Sequence, residues 1–521
     1  MTFVGIRVKL NELLTKFSQS YEFCIWARKA LKSTSRKYIE IQISDTDLML
    51  SRLPNEWHFD DMGAKLRIIY QCSSNKSLKD RINILYSYFN HSLFKLVNHI
   101  TFQIRNSELM ELTDERIGNY LGSWPYNLDL SVIPGPIKKI SNNMLSAALL
   151  NQRISTIYFE PQTKKKTTDW FRNQIFLDLN NFTEIVQVNT SLCNCEDILE
   201  FNALVLIITE QCNISCRHCA LGSSPHLSRP IDVKLFQNAI KDAAHLPNVR
   251  KECAFAGGEP TLYIDELECL METAVTEGMS PSVTTNGWWG KTEETATTIL
   301  SRLFNAGLRR MELSVDVFHQ EFIPIKNIRT ALHLAREHGI SVILRVCVTR
   351  EHHAGRALQW LDTNDLEGVL VAISHIIPIG RAKTQCPSNQ NYYSKRAIFG
   401  NCRDFLNLTI SPNGNVSPCC AGSDMIPFLS LGNFREKGLE IIMDQLRFNK
   451  VIQQLVRMGP ASFFKALSKR TRTRILSQPS VNICHLCSLL FNDEDACDEI
   501  MKFAFSQLVM FVRHHLEVSN P

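Results

Sequence analysis

The segment that decides the fold is Glu210–Cys219, which reads EQCNISCRHC and carries three cysteines in a C-x3-C-x2-C spacing. It directly follows Ala203–Thr209, an apolar and β-branched run that is typical of a buried strand. Three thiolates in one short loop can each bind one iron of a 4Fe-4S cluster, leaving the fourth iron open. Structural zinc is the alternative, but it takes four ligands, and the only further candidate, His218, is adjacent to Cys219.

Five more strand-like runs follow and alternate with amphipathic helical patterns. The runs are Cys253–Ala256, Pro281–Thr285, Met311–Val315, Ile340–Val348 and Val369–Ile376. Three helical patterns run into Gly278, Gly307 and Gly339, where a left-handed cap is expected. Strand and helix in this order predict a parallel sheet that curls toward a barrel or winds doubly. A ligand site then lies at the carboxyl ends of the strands.

Length and composition narrow the class of protein. The chain has 521 residues, which predicts two or three domains, and its net charge of +5 is too dilute to indicate nucleic acid as a partner. The N-terminus lacks a secretory signal and no run of 18 apolar residues occurs, so we expect a cytoplasmic protein without a membrane partner. In a reducing compartment, 17 cysteines favour metal or cluster ligation over disulfides.

Further motifs stand at the ends of the successive strands. In chain order they are Gly257-Gly258-Glu259-Pro260, Thr284-Thr285-Asn286-Gly287, Ser314-Val315-Asp316, Arg345 within the fifth strand, and Pro378-Ile379-Gly380-Arg381-Ala382. Together with the cysteine triplet they resemble the radical S-adenosylmethionine (radical SAM) superfamily. The resemblance implies a partial (β/α)6 barrel, with the 4Fe-4S cluster that binds S-adenosylmethionine held by Cys212, Cys216 and Cys219.

The same resemblance implies a set of cofactor contacts. The backbone of Gly257, Gly258 and Glu259 would receive the amino group of the methionine moiety, and Arg345 would pair with its carboxylate. The remaining residues expected to bind the cofactor are Asn286, Ser314 and Asp316, of which the last two face the ribose, and His218 near the adenine. The alternatives are strand-end capping for Asn286, Ser314 and Asp316, and a surface-loop histidine for His218.

A second cysteine set begins with Cys402 and continues with Cys419, which four residues separate from Gly414. Asn413-Gly414 between two short extended runs predicts a hairpin. The pattern resembles the opening of SPASM and twitch extensions, which bind auxiliary iron–sulfur clusters. The expected ligands of one auxiliary cluster are Cys402, Cys419, Cys484 and Cys487, with Cys497 or Cys420 as substitutes. A tetrathiolate zinc with the same ligands stays open, as does a further pair, Cys193 and Cys195.

We expect three domains: an N-terminal mixed α/β domain over 1–198, the radical SAM core over 199–399, and the Cys-rich extension over 400–521. The resemblance implies an enzyme that cleaves S-adenosylmethionine to a 5'-deoxyadenosyl radical, which abstracts hydrogen from a peptide or protein substrate, as in the maturation of ribosomally made natural products. It further implies a low-potential electron donor. The alternatives are a dehydrogenase or epimerase of a sugar or cyclitol, and a non-catalytic cluster- or zinc-binding protein. The sequence names no catalytic acid, base or hydrogen donor.

Overall fold

The computed structural model describes residues 199–362, 364–386, 388–391, 393, 402, 406–420 and 426–504, together with the backbone of seven strands before them. The predicted ligand pair Cys193 and Cys195 lies outside these residues. Among the helices of this part of the chain, none combines the length and the apolar character needed to cross a membrane.

The seven N-terminal strands are β1 (Phe3–Lys9), β2 (Tyr38–Ser44), β3 (Lys65–Gln71), β4 (Val97–Arg105), β5 (Asn127–Ile133), β6 (Ile154–Phe159) and β7 (Ile175–Asp178). Strands β1 to β6 pair in sequential order and in parallel, and β7 lies parallel to β1 on the other side. The division of the chain at residue 198 stays a prediction, because these strands continue the sheet of the core rather than forming a separate one.

The core contains six parallel strands, β8 (Leu204–Thr209), β9 (Glu252–Gly257), β10 (Ser280–Thr285), β11 (Arg310–Ser314), β12 (Ser341–Val348) and β13 (Leu370–His375). They are neighbours in sequential order, as a partial barrel requires. Each of the six runs identified in the sequence is one of these strands, so the predicted α/β barrel is confirmed.

The helices that follow these strands include long ones, whose buried residues join the main core cluster, and shorter ones after β11, β12 and β13. They are α1 (Val233–His245), α2 (Ile264–Thr276), α3 (Glu293–Asn305), α4 (Val317–Gln320), α5 (Ile325–Glu337), α6 (Ala354–Leu358) and α7 (Ala382–Gln385). Short 3-10 turns occupy Pro260–Tyr263, Trp288–Lys291 and Ser388–Gln390. Gly278, Gly307 and Gly339 follow α2, α3 and α5 with positive φ angles, which confirms the predicted left-handed caps.

Successive side chains of each core strand point alternately to a packed outer face and to an inner face of the sheet. Phe255, Met311, Leu313 and Leu344 are fully buried on the outer face, where they join the main core cluster. Residues one position away face the inside of the barrel, where β9 contributes small side chains and β11 and β12 contribute charged ones. The inner face also carries Ile343 and Leu370, which pack together across β12 and β13 apart from the main core cluster.

The extension begins with the hairpin that the sequence predicts. Strand β14 (Leu408–Ile410) lies parallel to β8 and pairs antiparallel with β15 (Asn415–Ser417), which pairs in turn with β16 (Gly432–Asn433). The helices are α8 (Leu439–Phe448), α9 (Lys450–Met458), α10 (Lys469–Ser477) and α11 (Ile483–Phe491), with 3-10 turns at Pro427–Leu429 and Pro460–Lys465 and a helical stretch over 494–504. At the other edge of the core, β6 pairs antiparallel with β13. Both edges of the six-stranded core are thus occupied.

Candidate metal centre and cofactor site

The cysteine triplet lies in the loop that leaves β8. Cys212 and Cys216 are buried and Cys219 is partly exposed. Burial raises the pKa of the Cys212 thiol to about 12, and Glu259, Cys216 and Cys219 push this pKa in the same direction. The three thiols are therefore electrostatic neighbours. Thiols with a high pKa become ligands only when a metal displaces their protons, so this loop couples metal binding to proton release.

The spacing of the sulfurs separates a cluster from a single metal ion. In the described residues, no three of the cysteine sulfurs lie within 4.8 Å of one another. Four thiolates around one zinc lie about 3.8 Å apart, since each bonds the ion at about 2.3 Å in a tetrahedron. A cubane holds its sulfurs farther apart because each binds a different iron. The donor set around Cys212, Cys216 and Cys219 thus fits a cluster better than zinc.

The two glycines after β9 allow that strand to approach β8 closely. A side chain at Gly257 would lie 2.2 Å from the carbonyl oxygen of Thr209, and one at Gly258 would lie 1.9 Å from that of Gln211. The backbone N–H groups of Gly258 and Glu259 donate to these same oxygens at 2.8 Å. The glycines are therefore required by the start of the cluster loop. Their contact with the methionine moiety stays a prediction.

Glu259 is a fully buried carboxylate that joins the ends of two strands, β9 and β10. It accepts hydrogen bonds from the backbone and hydroxyl of Thr261, from the hydroxyl of Thr285 at 2.7 Å and from the backbone N–H of Asn286 at 2.7 Å. Burial raises its pKa, although these donors oppose the shift. Its oxygens are engaged within the protein, so the side chain positions the end of β10. The contact of the Glu259 backbone with the cofactor stays a prediction.

Asn286 links the end of β10 to the cluster loop. Its side-chain nitrogen donates to the side-chain oxygen of Asn213 at 2.8 Å and to the sulfur of Cys212 at 3.8 Å. Its side-chain oxygen accepts from the backbone N–H of Trp288 at 3.1 Å, a local turn. Asn286 thus both caps the turn and touches a predicted cluster ligand, whereas its contact with the cofactor remains untested.

Asp316 lies at the end of β11 between two histidines. It accepts from the backbone N–H of His319 at 3.0 Å and lies 2.8 Å from His319 Nδ1 and 3.3 Å from His218 Nε2. These histidines hold its pKa well below the ordinary range despite burial, and Asp316 in turn raises the pKa of His319. The capping interpretation therefore applies to Asp316, and its contact with the ribose stays a prediction.

His218 is buried, which excludes the surface-loop alternative. Its side chain is 9% exposed and stacks on Phe318 with 4.8 Å between ring centroids. The nitrogen atoms of His218 and His319 lie within 4.8 Å of the Cys216 sulfur. The sequence offered no reason to select His319. The one available signal was its place three residues after a capping aspartate, which turns it back toward that residue.

Arg345 faces the inside of the barrel, where it meets a carboxylate of the neighbouring strand. Its guanidinium forms a two-pronged pair with Glu312, at 2.8 and 2.9 Å. Although burial opposes the shift, this pair lowers the pKa of Glu312. Ser314 is the register neighbour of Arg345 on β11. Arg345 thus has a protein partner at the place where the sequence predicted a cofactor carboxylate, and that prediction remains to be tested.

The four cysteines predicted for the auxiliary site come together in the extension. Burial raises the pKa of Cys484, and Cys419 and Cys402 raise it further. The pKa of Cys487 is raised by burial and then by Cys402, Cys419 and Cys484. Hairpin β14–β15 therefore places Cys419 close to α11, the helix that carries Cys484 and Cys487.

The two substitute ligands are separated by the structure. The sulfur of Cys497 donates to the carbonyl oxygen of Phe491 at 3.3 Å, and its raised pKa comes from burial and from nearby acidic residues rather than from cysteines. Cys420 lies next to Cys419 and contributes to the raised pKa of Cys484, so it stays close to the auxiliary site. The assignment of Cys402, Cys419, Cys484 and Cys487 as the ligands therefore stays a prediction, with Cys420 as the nearer substitute.

Comparison with protein families agrees with this architecture. The model of the radical SAM superfamily matches residues 206–354, and the model of SPASM, an iron–sulfur cluster-binding domain, matches residues 402–488. A curated protein described as "Putative peptide biosynthesis protein YydG" from Bacillus subtilis (strain 168) is 23% identical over 301 residues, covering 57% of this chain and 94% of that protein.

Solved structures show similarity over comparable lengths. The enzyme anSMEcpe with bound AdoMet gives a TM-score of 0.37 at 15% identity, over 60% of this chain and 96% of its own. SuiB from Streptococcus suis, bound to S-adenosylmethionine, gives 0.32 at 15% identity, over 57% and 76%. The cofactors of the two matched domains are 4Fe-4S clusters and S-adenosylmethionine, and the donor sets described above fit the clusters. Residues 206–354 thus form a radical SAM domain, which is followed by a SPASM domain over residues 402–488.

Proposed function

We propose that the protein is a peptide-modifying radical SAM enzyme that abstracts hydrogen from a peptide or protein substrate. The observation that carries this proposal is the similarity to a protein described as a putative peptide biosynthesis protein, which extends over 301 residues and 94% of that protein. The dehydrogenase or epimerase of a sugar or cyclitol is an outcome that the experiment below would reveal.

When bound, the cofactors would supply reductive cleavage of S-adenosylmethionine, with one electron from a low-potential donor, to methionine and a 5'-deoxyadenosyl radical that takes a hydrogen atom from the substrate. This chain's residues supply position. The loop of Cys212, Cys216 and Cys219 would hold one cluster, and Glu259 and Asn286 keep the neighbouring strand ends in register with that loop. The space inside the barrel, lined by Arg345 and Glu312, would receive the substrate away from bulk water.

The N-terminal region would serve to anchor the substrate. A flexible peptide loses much conformational entropy when one of its carbons is held within near-attack distance of a radical. Binding a remote part of the peptide reduces that loss through effective concentration. We infer that residues 1–198 bind the precursor, which a sugar-modifying enzyme would not need.

Isotope transfer tests the substrate class. The anaerobically reconstituted protein is incubated with reductant, S-adenosylmethionine and perdeuterated candidate peptides encoded beside the gene, and the 5'-deoxyadenosine is analysed by mass spectrometry. Deuterium in the product supports the proposal, and the triple Cys212, Cys216 and Cys219 to Ala variant should give none. Transfer from a deuterated cyclitol or sugar, with none from any peptide, would replace the proposal by the small-molecule alternative.

The anchoring role is tested on the full-length chain. Because β6 pairs with β13, removing residues 1–198 exposes a strand edge and can damage the core for reasons unrelated to the substrate. A photoreactive group in the leader part of the peptide should instead label residues 1–198, while deoxyadenosine formation without peptide stays unchanged. Labelling confined to residues after 198 would refute the anchoring role.

A further inference from the structure

The cluster loop is held from across the open side of the barrel. Strands β8 and β13, the first and last of the core, are not neighbours in the sheet. The segment that follows β13 nevertheless reaches the loop that follows β8, through Gly380 and Arg381. These residues belong to the PIGRA stretch, to which neither the fold nor the cofactor contacts have given a role.

Arg381 binds this loop through its side chain and its backbone. Nη1 donates to the carbonyl oxygen of Cys216 at 2.9 Å, and Nη2 donates to those of Gly222 and Ser223 at 2.6 and 2.7 Å. The backbone N–H of Arg381 donates to the carbonyl oxygen of Cys219 at 3.0 Å. Two of the four acceptors therefore belong to predicted cluster ligands.

Gly380 makes this contact possible. Its φ is 54°, a left-handed conformation that glycine adopts without strain. A side chain there would lie 1.9 Å from the carbonyl oxygen of Ala220, so the two segments pack backbone against backbone. The approach of Arg381 to the loop is thus built into the local backbone and does not depend on a flexible side chain alone.

We propose that Arg381 is a positioning residue for the SAM-binding cluster, which fastens the cysteine loop in its ligating shape across the gap between β8 and β13. Once a loop leaves the edge of a sheet, its backbone carbonyl groups no longer accept hydrogen bonds from neighbouring strands and need other donors. A guanidinium has planar donors in a fixed fork that can bind several carbonyls at once, whereas an ammonium offers a point charge. The role therefore requires arginine rather than any cation.

The proposal predicts a selective loss of one cluster. In Arg381→Lys and Arg381→Ala, the cysteine loop loses its hydrogen bonds from the guanidinium. The four cysteines of the extension are unaffected by either substitution. In Arg381→Ala, iron should fall from about eight to about four per chain. In both variants, the paramagnetic resonance signal of the reduced cluster that changes on adding S-adenosylmethionine should weaken. Lys should retain more iron than Ala, because it keeps one charged donor.

The matched control is Arg302→Lys, which changes an equally well paired arginine on the outer face. Arg302 binds Asp265 at 2.6 Å and also Glu268, all on the connecting helices. The control should keep both clusters. A second readout is the rate at which a chelator removes iron, which should rise about ten-fold for the SAM-binding cluster of Arg381→Lys alone.

Two results would overturn the proposal. Full iron with an unchanged resonance signal and chelation rate in Arg381→Lys would show that the clasp is dispensable. Equal loss of both clusters, with a lowered melting temperature of the apoprotein, would assign Arg381 to general stability. Neither measurement involves a substrate, so a failure of the peptide hypothesis leaves this test intact.

Discussion

Replacing Gly258 by Ala should disable the cluster loop without touching a ligand. The added methyl would lie 1.9 Å from the carbonyl oxygen of Gln211, while the shortest ordinary contact is 3.4 Å. The end of β9 must therefore withdraw from β8 by about 1.5 Å, the difference between those two distances. Gln211 is adjacent to Cys212, so the displacement falls on the first predicted cluster ligand.

The magnitude follows from the bonds that this displacement breaks. The backbone bonds from Gly258 to Thr209 and from Glu259 to Gln211 are both 2.8 Å long. Each contributes about 0.5–1.5 kcal/mol, and overpacking strain of about 1–3 kcal/mol adds to their loss. We expect a local cost of about 2–6 kcal/mol. Misplacement of a reacting group by about 1 Å lowers rates about 100-fold, so cleavage of S-adenosylmethionine should fall by at least that factor.

The assay follows 5'-deoxyadenosine formation without substrate, together with calorimetric binding of S-adenosylmethionine. The matched control is Gly438→Ala, because Gly438 has an extended backbone with φ −57° and its nearest atom is the flexible carboxylate end of Asp242 at 3.3 Å. The control should retain wild-type rate and affinity. If Gly258→Ala cleaves and binds S-adenosylmethionine within two-fold of wild type, the close approach of β9 to the cluster loop does not require glycine at this position.

Three further results are expected. Iron and sulfide analysis should find two 4Fe-4S clusters, and about four irons with one zinc would instead identify the extension as a zinc site. Arg345→Ala should weaken binding of S-adenosylmethionine by about 2–5 kcal/mol if the guanidinium meets its carboxylate, and an unchanged calorimetric affinity would leave Arg345 only its pair with Glu312. The backbone N–H of Leu235, and then Arg435, lower the pKa of Asp232, which begins α1. A carboxyl group whose pKa is depressed in the folded state stabilises the fold above its ordinary pKa, and this contribution is lost as pH falls through the folded pKa. Asp232→Ala should therefore reduce the free energy of unfolding at pH 7 by about 0.5–2 kcal/mol and lower the melting temperature. The difference from wild type should shrink in acid.

The sequence alone determined the barrel. Each core strand is a short apolar run, and Gly278, Gly307 and Gly339 end helices at the predicted places, because periodicity and caps are local properties. The spacing of the cysteines likewise predicted metal ligation, since a thiolate is a metal ligand in almost any surroundings. Hairpin β14–β15 followed from Asn413-Gly414 in the same way.

Only the tertiary structure decided what those motifs touch. Glu259 was expected beside the cofactor, and its carboxylate accepts hydrogen bonds from the end of β10. Arg345 was expected at the carboxylate of the cofactor, and it pairs with the carboxylate of Glu312 on β11. Arg381 is separated by 165 residues from Cys216, whose carbonyl it binds. Contacts of this kind depend on strand register and on the curvature that brings the two ends of the core together. No local pattern encodes those quantities, because they arise only when the whole sheet has closed around its interior.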